Sequence, residues 1–265
     1  MAYNEIIFEK KDCVAKIILN RQGSLNAFSE VMREEFKNAI DHINSDREVR
    51  VVVITGAGKA FSAGGDIKTM ADRCNSNISF QERRDFMRRA TCDPVRKLRS
   101  IRQPVIAAIN GAAVGAGCGL ALACDIRIAS EKATLGLAFV KRGLTPDWGA
   151  AYFLPRLIGP AKALELICTG RLIDANTAFE MGLVNKVVPH DEFDEQVNYI
   201  CDEITQNAPI AVAAAKSAIL YGLSYGLDLS LEYETYLASM CQLTEDHREG
   251  VMSFIEKRSP IFKGI

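Results

Sequence analysis

The chain is poor in the residues that build metal sites and disulfide frameworks. Its 265 residues include only three histidines, His42, His190 and His247, and no two of them lie at helical i,i+4 spacing. Eight cysteines are present, but no two are spaced as CxxC. The sequence therefore predicts no metal site, and we expect reduced thiols in a cytoplasmic protein.

The chain also lacks a charge excess and a long apolar run. The sequence has 32 Lys and Arg residues and 33 Asp and Glu residues, which gives a formal net charge of −1. Nucleic acids and acidic membranes both need a basic surface, so neither is an expected partner. The opening MAYNEIIFEKKD has no apolar core, so we expect no secretory signal, and no uncharged apolar run approaches the roughly 20 residues of a membrane span.

What the sequence does contain is a pattern of strands alternating with helices. Alternating residues at 5–9 and 14–19 predict a pair of strands, and three β-branched or apolar runs predict buried strands at 50–56, 104–109 and 125–129. The order of strand, loop and helix occurs twice, which indicates an α/β fold with crossover connections.

Helix signals accompany these strands. Ser29 precedes an apolar stripe at helical spacing and predicts a helix over 30–44, with Ser29 as its N-cap. A second helical pattern runs over 80–102 and is expected to break at Asp93-Pro94, with Asp93 as a new N-cap. Residues 112–124 predict a glycine-rich loop that runs into an apolar helix.

The character of the chain changes near residue 190. Beyond it, helical patterns cover 191–207, 210–225 and 227–257, with Pro209 and Gly226 as breaks. The sequence therefore predicts a core over residues 1–190 and a helical segment over residues 191–265.

Two glycine-rich loops follow buried strands. Residues 56–60 and 115–120 fail both the P-loop and the dinucleotide patterns, because Ala60, Phe61 and Leu120 stand where those motifs need Ser or Thr and glycine. Both loops carry Gly and Ala alone at 63–65 and 115–117, so their N–H groups can approach a ligand closely. Two N–H groups converging at one sheet end form an oxyanion hole, whereas tight turns and close helix packing are the alternative reading.

Five segments resemble the crotonase (enoyl-CoA hydratase/isomerase) superfamily in composition and order. They are NRQGSLNAFS at 20–29, KAFSAGGDIK at 59–68, PVIAAINGAAVGAGCGLALACDIRIAS at 104–130, LTPDWGAAYFLPRLIG at 144–159 and AFEMGLVNKVV at 178–188. The resemblance implies a spiral of β-β-α turns with a C-terminal helical trimerisation segment. It implies an acyl-CoA thioester as substrate, no separate cofactor, and a homotrimer or a dimer of trimers.

The resemblance also assigns residues. The two oxyanion donors fall on the N–H groups of Gly65 and Ala116. The CoA moiety is expected to run along residues of three segments, and the tail residues to reach the nucleotide of a neighbouring subunit; these positions are Leu25, Ala27, Ala63, Gly65, Asp66, Ile67, Phe262 and Lys263. Asp66 is expected to cap a helix and to take no part in proton transfer.

The departures from the family pattern bear on the reaction. Gly119 and Phe139 stand where hydratases of the family carry two glutamates, so hydration by two carboxylates is in doubt. Asp147 occupies the position at which isomerases of the family carry their proton-shuttling carboxylate. Its alternative role is that of N-cap for a helix from Trp148. Phe139 and Trp148 are expected to line and dry the acyl pocket.

Three functions remain open on the sequence. The first is isomerisation of an enoyl-CoA, with Asp147 as the single acid and base. The second is hydration of an enoyl-CoA, with Asp147 alone positioning the water. The third is a non-catalytic acyl-CoA-binding protein that kept the pocket and lost the glutamates.

Overall fold

The computed structural model describes residues 3–74 and 77–265 as two sheets surrounded by helices. The strands are β1 (Ile6–Lys11), β2 (Val14–Leu19), β3 (Val51–Gly56), β4 (Ala60–Ser62), β5 (Val105–Ile109), β6 (Ala112–Val114), β7 (Ile126–Ser130), β8 (Thr134–Gly136), β9 (Leu172–Asp174) and β10 (Lys186–Val188). The α-helices are α1 (Glu30–Ser45), α2 (Ile67–Cys74), α3 (Phe80–Met87), α4 (Asp93–Arg99), α5 (Ala116–Ala123), α6 (Ala150–Ile158), α7 (Pro160–Thr169), α8 (Ala175–Glu180), α9 (Phe193–Thr205), α10 (Pro209–Gly222), α11 (Leu227–Gln242) and α12 (Glu245–Glu256).

The larger sheet has six strands in the order β1-β2-β3-β5-β7-β10. The β1–β2 pair is antiparallel, and the remaining pairs are parallel. Every residue of β3 and β5 is buried, because helices cover both faces of the sheet at its centre. The strands predicted from the β-branched or apolar runs are therefore confirmed. The pair of strands predicted at the start of the chain is confirmed too, as β1 and β2.

The smaller sheet explains how the chain winds. Its four strands lie in the order β4-β6-β8-β9, and β4, β6 and β8 each follow a strand of the larger sheet along the chain. Each turn of chain therefore adds one strand to each sheet before a helical connection returns to the next turn. This is the expected spiral of β-β-α turns. The prediction of a loop at 112–114 was wrong, because these residues pair with their neighbours as β6.

The helices agree with the sequence in place and differ in their ends. The Ser29 hydroxyl accepts a hydrogen bond from the N–H of Met32 at 3.0 Å, so α1 begins as predicted. Residues 80–99 form α3, a π-helical turn over Arg88–Cys92 and then α4. Asp93 is the first residue of α4 and not its cap, because the chain enters through the π-helical turn at Cys92.

The last third of the chain is helical, as predicted, with one additional break. The expected helix over 227–257 is two helices. Helix α11 ends at Gln242, and Thr244 caps α12 by accepting a hydrogen bond from the N–H of His247. The first helix of the segment, α9, buries Phe193, Val197 and Cys201 against the larger sheet. The division near residue 190 stays a prediction.

The remaining helices leave many apolar side chains on their surface. Exposed examples on α10, α11 and α12 include Ile219, Leu227, Tyr236, Phe254 and Ile255, and the residues after α10 and α11, Leu223 and Leu243, are exposed too. All eight cysteines are free thiols. Within residues 3–74 and 77–265, no helix is long and apolar enough to span a membrane.

Candidate active site

The two glycine-rich loops meet because the short strands before them are neighbours. Strand β4 pairs with β6 in parallel, with Ala60 opposite Ala112 and Ser62 opposite Ala113. Parallel strands end at the same edge of a sheet, so the loop after Ser62 and the turn after Val114 emerge side by side. The expected juxtaposition of the two loops is present in the fold.

Gly64 makes this contact close. Its φ is +94°, in a region that L side chains rarely adopt. A Cβ built on it would lie 2.5 Å from the carbonyl oxygen of Val114 and 3.1 Å from the amide nitrogen of Ala116. Only glycine therefore allows the 63–65 loop to lie against the start of α5.

Two amides of these loops have no acceptor. Gly65 follows the contact at Gly64, and Ala116 is the first residue of α5, where an N–H has no partner within the helix. Among the described residues, neither N–H donates a hydrogen bond to the protein. Ala116 is buried and Gly65 is half-buried.

The predicted CoA-binding residues of the first two segments lie together. The N–H of Ala63 donates to the carbonyl oxygen of Leu25 at 2.8 Å. The Arg21 guanidinium joins the same two loops, donating to the carbonyl oxygen of Ala27 at 2.6 Å and to Asp66 at 3.0 Å. Ile67 begins α2 directly after Asp66 and is largely exposed. The structure therefore brings Leu25, Ala27, Ala63, Asp66 and Ile67 to one strip of surface.

Asp66 acts as a helix cap. Its carboxylate accepts from the N–H groups of Lys68 at 3.0 Å and Thr69 at 3.4 Å, at the start of α2. Burial acts to raise the pKa of Asp66, but the hydrogen bonds from Arg21 and from the two amides outweigh it and lower the pKa. Asp66 is thereby held ionised and fully bonded.

The two tail residues lie elsewhere on this subunit. The N–H of Lys263 donates to Asp246 at 2.7 Å, and Arg50 donates to the carbonyl oxygen of Phe262 at 2.6 Å. Phe262 also lines a cavity of about 480 Å³ against α12. In the described chain, neither tail residue forms a hydrogen bond or ion pair with the strip that contains Leu25, Ala27, Ala63, Asp66 and Ile67. The predicted contact of the tail with a neighbouring subunit's ligand therefore stays a prediction.

Asp147 carries one carboxyl oxygen without a partner. Its Oδ1 atom is fully buried and has no hydrogen-bond partner among the described residues. Burial raises the pKa of Asp147 to about 6, while the nearby charge of Arg33 and the residue's own backbone N–H act in the opposite direction. The alternative role as helix cap was wrong, because α6 begins at Ala150 and its cap position is Gly149.

Gly119 relates the position of Asp147 to that of the free amide of Ala116, because it shares a helix with Ala116 and contacts the 147–148 segment. Gly119 lies one helical turn after Ala116 on α5, on the same face. A Cβ on Gly119 would lie 2.6 Å from Cβ of Trp148 and 3.4 Å from the carbonyl oxygen of Asp147. The 147–148 backbone thus fills the space into which a side chain at 119 would extend.

Phe139 lies near Gly115, the residue before α5. The ring edge is 4.0 Å from the position that a Cβ on Gly115 would take, and the side chain is buried. An apolar ring therefore lies beside the entry to α5, where the family's hydratases place a second glutamate.

Trp148 holds the Asp147 segment in place. Its φ is +52°, a left-handed conformation that is costly for a bulky residue. The indole is only 2% exposed and stacks on Phe28, with ring centroids 4.4 Å apart. Trp148 therefore packs in the core next to Asp147, and its stacking on Phe28 helps to offset the backbone strain. Its predicted place in the acyl pocket stays a prediction.

Sequence reasoning missed Arg33, which lies near Asp147. Arg33 is the fourth residue of α1, and its charge acts on Asp147, Asp66 and Glu30. Nothing in the sequence distinguishes it from the other charged residues beside the apolar stripe of α1. Its placement depends on the tertiary contact of α1 with the 147–148 segment.

Comparisons with known proteins agree with this geometry. The family described as enoyl-CoA hydratase/isomerase matches residues 9–265. A crotonyl-CoA hydratase of Syntrophomonas wolfei is 39% identical over 264 residues, which cover 99% of both chains. A short-chain-enoyl-CoA hydratase of Clostridium acetobutylicum is 40% identical over 97% of both chains. The crystal structure of an enoyl-CoA hydratase from Bacillus anthracis superposes with a TM-score of 0.93 at 40% identity, covering 99% of this chain and 100% of that one.

Proposed function

Because the chain belongs to the enoyl-CoA hydratase/isomerase family, we propose that it isomerises an enoyl-CoA with Asp147 as its single acid and base. Its substrate is an acyl-CoA thioester whose CoA moiety lies along the strip from Leu25 to Ile67. The acyl group enters between the free amides and Asp147. The observation that carries this proposal is the buried, unpartnered Oδ1 of Asp147 beside α5.

The two free amides supply the electrostatic part of the reaction. The N–H groups of Gly65 and Ala116 donate to the thioester oxygen, which becomes negative when the α-proton leaves. Donors fixed in a site that excludes water lower the barrier because they need no reorganisation, and each contributes about 3–4 kcal/mol. The positive end of α5 adds to this effect at Ala116.

The proton transfer balances with one carboxylate. Ionised Asp147 removes a proton from C2 of a 3-enoyl-CoA, and the electron pair moves into the dienolate. The protonated Asp147 then delivers a proton to C4, so the double bond moves from C3–C4 to C2–C3. Solvent deuterium enters the substrate when the carboxyl proton exchanges with water between the two steps. A carboxyl pKa near the working pH favours both steps, and burial brings the pKa of Asp147 to about 6.

Hydration of an enoyl-CoA is the second candidate. The relatives named above are called hydratases, which favours it. Here Asp147 takes a proton from a bound water, the oxygen adds to C3, and the proton is delivered to C2. The two positions at which the family's hydratases carry glutamates hold Gly119 and Phe139, which favours isomerisation.

The decisive experiment replaces Asp147 by Asn and follows the substrate by mass spectrometry in heavy water. We expect the exchange of C2 and C4 protons to fall by about 10²- to 10⁴-fold, the usual contribution of a general acid-base group. Binding of a saturated acyl-CoA ester should be kept. Asp12→Asn, an exposed turn position where φ is +52°, is the matched control and should exchange at the normal rate.

The outcomes separate the candidates. Exchange that persists in Asp147→Asn removes Asp147 from the mechanism. Formation of a 3-hydroxyacyl-CoA from a 2-enoyl-CoA by the unmodified protein assigns hydration. Binding of many CoA esters without exchange or hydration of any assigns a non-catalytic binding protein.

The proposal extends to assembly and location. Apolar side chains exposed on α10 to α12 support contacts with other copies of the chain, and the resemblance implies that these copies form a homotrimer or a dimer of trimers. We also place the protein in the cytoplasm, where its eight free thiols would stay reduced.

A further inference from the structure

Arg33 is a half-buried arginine whose Nε atom has no partner among the described residues. Its Nε atom is fully buried and has no hydrogen-bond partner, and among the described residues the guanidinium forms no ion pair. Arg127 is the contrasting case in the same fold. It donates from Nε to the carbonyl oxygen of Leu183 at 2.7 Å and from Nη1 to that of Cys124 at 2.7 Å. The Nε atom of Arg127 is thus bonded within the fold, and the Nε atom of Arg33 is not.

The unpaired group lies beside the proposed acid and base. The stack of Phe28 on Trp148 packs the 147–148 segment against the N-terminal end of α1, the helix that carries Arg33. Asp147 and Arg33 influence each other's charge, yet they form no direct ion pair. One buried N–H donor and one buried carboxyl oxygen, both unbonded, therefore lie at the same junction.

Other charged groups face this junction from every element around it. Arg73 of α2 repels the charge of Arg33, whereas Asp66 before α2, Glu30 of α1 and Asp147 attract it. Burial is the largest effect and lowers the pKa of Arg33, because it disfavours the charged form. A guanidinium that stays charged in this setting needs an acceptor, since an unpaired buried donor is costly.

We infer that Arg33 and Asp147 form a polar subsite of the acyl pocket that binds one O–H oxygen. The oxygen accepts a hydrogen bond from the Nε–H of Arg33 and donates its own proton to Oδ1 of Asp147. A hydroxyl group or a water satisfies both unpaired atoms at once, whereas a methyl or methylene group satisfies neither. This inference rests on the proposed function, because it names what the acyl pocket takes.

The oxygen has two sources. One is a hydroxyl carried by the acyl group of the substrate. The other is a water, which in hydration loses its proton to Asp147 while its oxygen adds to C3. Both have the same hydrogen-bonding chemistry, so the experiment has an arm for each.

The first arm measures binding of saturated esters by calorimetry at pH 8. Butanoyl-CoA and 3-hydroxybutanoyl-CoA differ by one hydroxyl, and neither has a double bond to shift. We expect the hydroxyl ester to bind about tenfold tighter to the unmodified protein, and Arg33→Met to remove that preference, since one hydrogen bond to a charged group has about this effect. Lys37→Met, one turn further along α1, is the matched loss of charge and should keep it.

The second arm follows the oxygen of water. Crotonyl-CoA is incubated in water enriched in ¹⁸O, and the 3-hydroxy product is analysed by mass spectrometry. We expect the unmodified protein and Lys37→Met to form the labelled product. If Arg33→Met forms it about tenfold more slowly or worse, the subsite is assigned to water. A hydroxyl preference lost in Arg33→Met without label incorporation assigns it to the acyl group.

The inference is overturned if Arg33→Met changes neither quantity, or if it weakens both esters equally. Both failures differ from a failure of the proposed function, which would appear as loss of all CoA-ester binding by the unmodified protein or as exchange independent of Asp147.

Discussion

Asp125 and Asp147 are two half-buried carboxylates with opposite surroundings. Asp125 accepts from Arg99 at 2.8 Å, from the N–H of Val105 at 2.8 Å and from the ammonium of Lys216 at 2.6 Å. Asp147 has a buried oxygen that accepts nothing among the described residues. The first carboxylate joins α4, β5, β7 and α10, so its full bonding stabilises the fold.

This difference supports the proposed role of Asp147 over any such role for Asp125. Asp125 already accepts from three donors of the fold. The desolvated carboxylate of Asp147 has an unpaired oxygen, which destabilises the unliganded protein. A bound group that donates a hydrogen bond to this oxygen removes the destabilisation. The same substitution at the two positions should therefore have opposite effects on stability.

The largest effect is expected for Asp125→Asn. The change removes the charge that pairs with Lys216 and Arg99, and breaking an ion pair of this kind leaves two cations at a buried junction. We expect a loss of about 3 kcal/mol in the free energy of unfolding, measured by urea denaturation. A loss no greater than that of Asp12→Asn, the exposed control, would show that the pairing contributes little.

Asp147→Asn should be more stable than the unmodified protein at pH 8. Because burial raises the pKa of Asp147 to about 6 from its ordinary 3.8, the carboxyl stabilises the fold while protonated and loses that contribution as the pH rises through about 6. We expect a gain of about 2 kcal/mol at pH 8, with the difference disappearing near pH 4. Equal stability of the two proteins at pH 8 would contradict the desolvation of this group.

The activity should follow the same titration. Asp147 must be ionised to take the first proton, so kcat/KM for proton exchange should rise as the pH rises through about 6. An initial-rate profile between pH 5 and 8 measures it. A profile that is flat across this range would mean that another group, or another step, limits the reaction.

The smallest effect is expected for Gly119→Ala. The added Cβ would lie 2.6 Å from Cβ of Trp148, so the 147–148 segment must shift. Overpacking of this kind costs about 1 kcal/mol in stability, and it should lower proton exchange more than its effect on stability suggests. Gly23→Ala, where nothing lies within 4 Å of the added atom, is the matched control. If proton exchange is unchanged in Gly119→Ala, the working position of the Asp147 carboxyl does not depend on the packing of residue 119 against Trp148, and the prediction is contradicted.

Elements with strong local signals could be predicted from the sequence. Helix α1 combines a capping serine with an apolar stripe, and β3 is a continuous β-branched run, so both were placed within one or two residues. The strands of the smaller sheet could not be predicted, because each has only three residues and is too short to show a periodicity. The break at Thr244 was missed for a related reason: a threonine cap is a weaker signal than Pro209 or Gly226.

The candidate site divides in the same way. Gly65, Ala116 and Asp147 were named from motifs whose residue types and order are visible in the chain. The unpaired state of Asp147 and the presence of Arg33 beside it were not visible. They depend on the stack of Phe28 with Trp148, two residues 120 positions apart in the sequence.

The amino-acid order alone determined that this is an α/β spiral of the enoyl-CoA hydratase/isomerase family with small-residue loops at the ends of its strands. Only the tertiary structure decided which charged groups are satisfied and which are left for a ligand. The physical reason is that residue type and short-range spacing set local structure, whereas burial and hydrogen-bond pairing are set by which distant segments pack together.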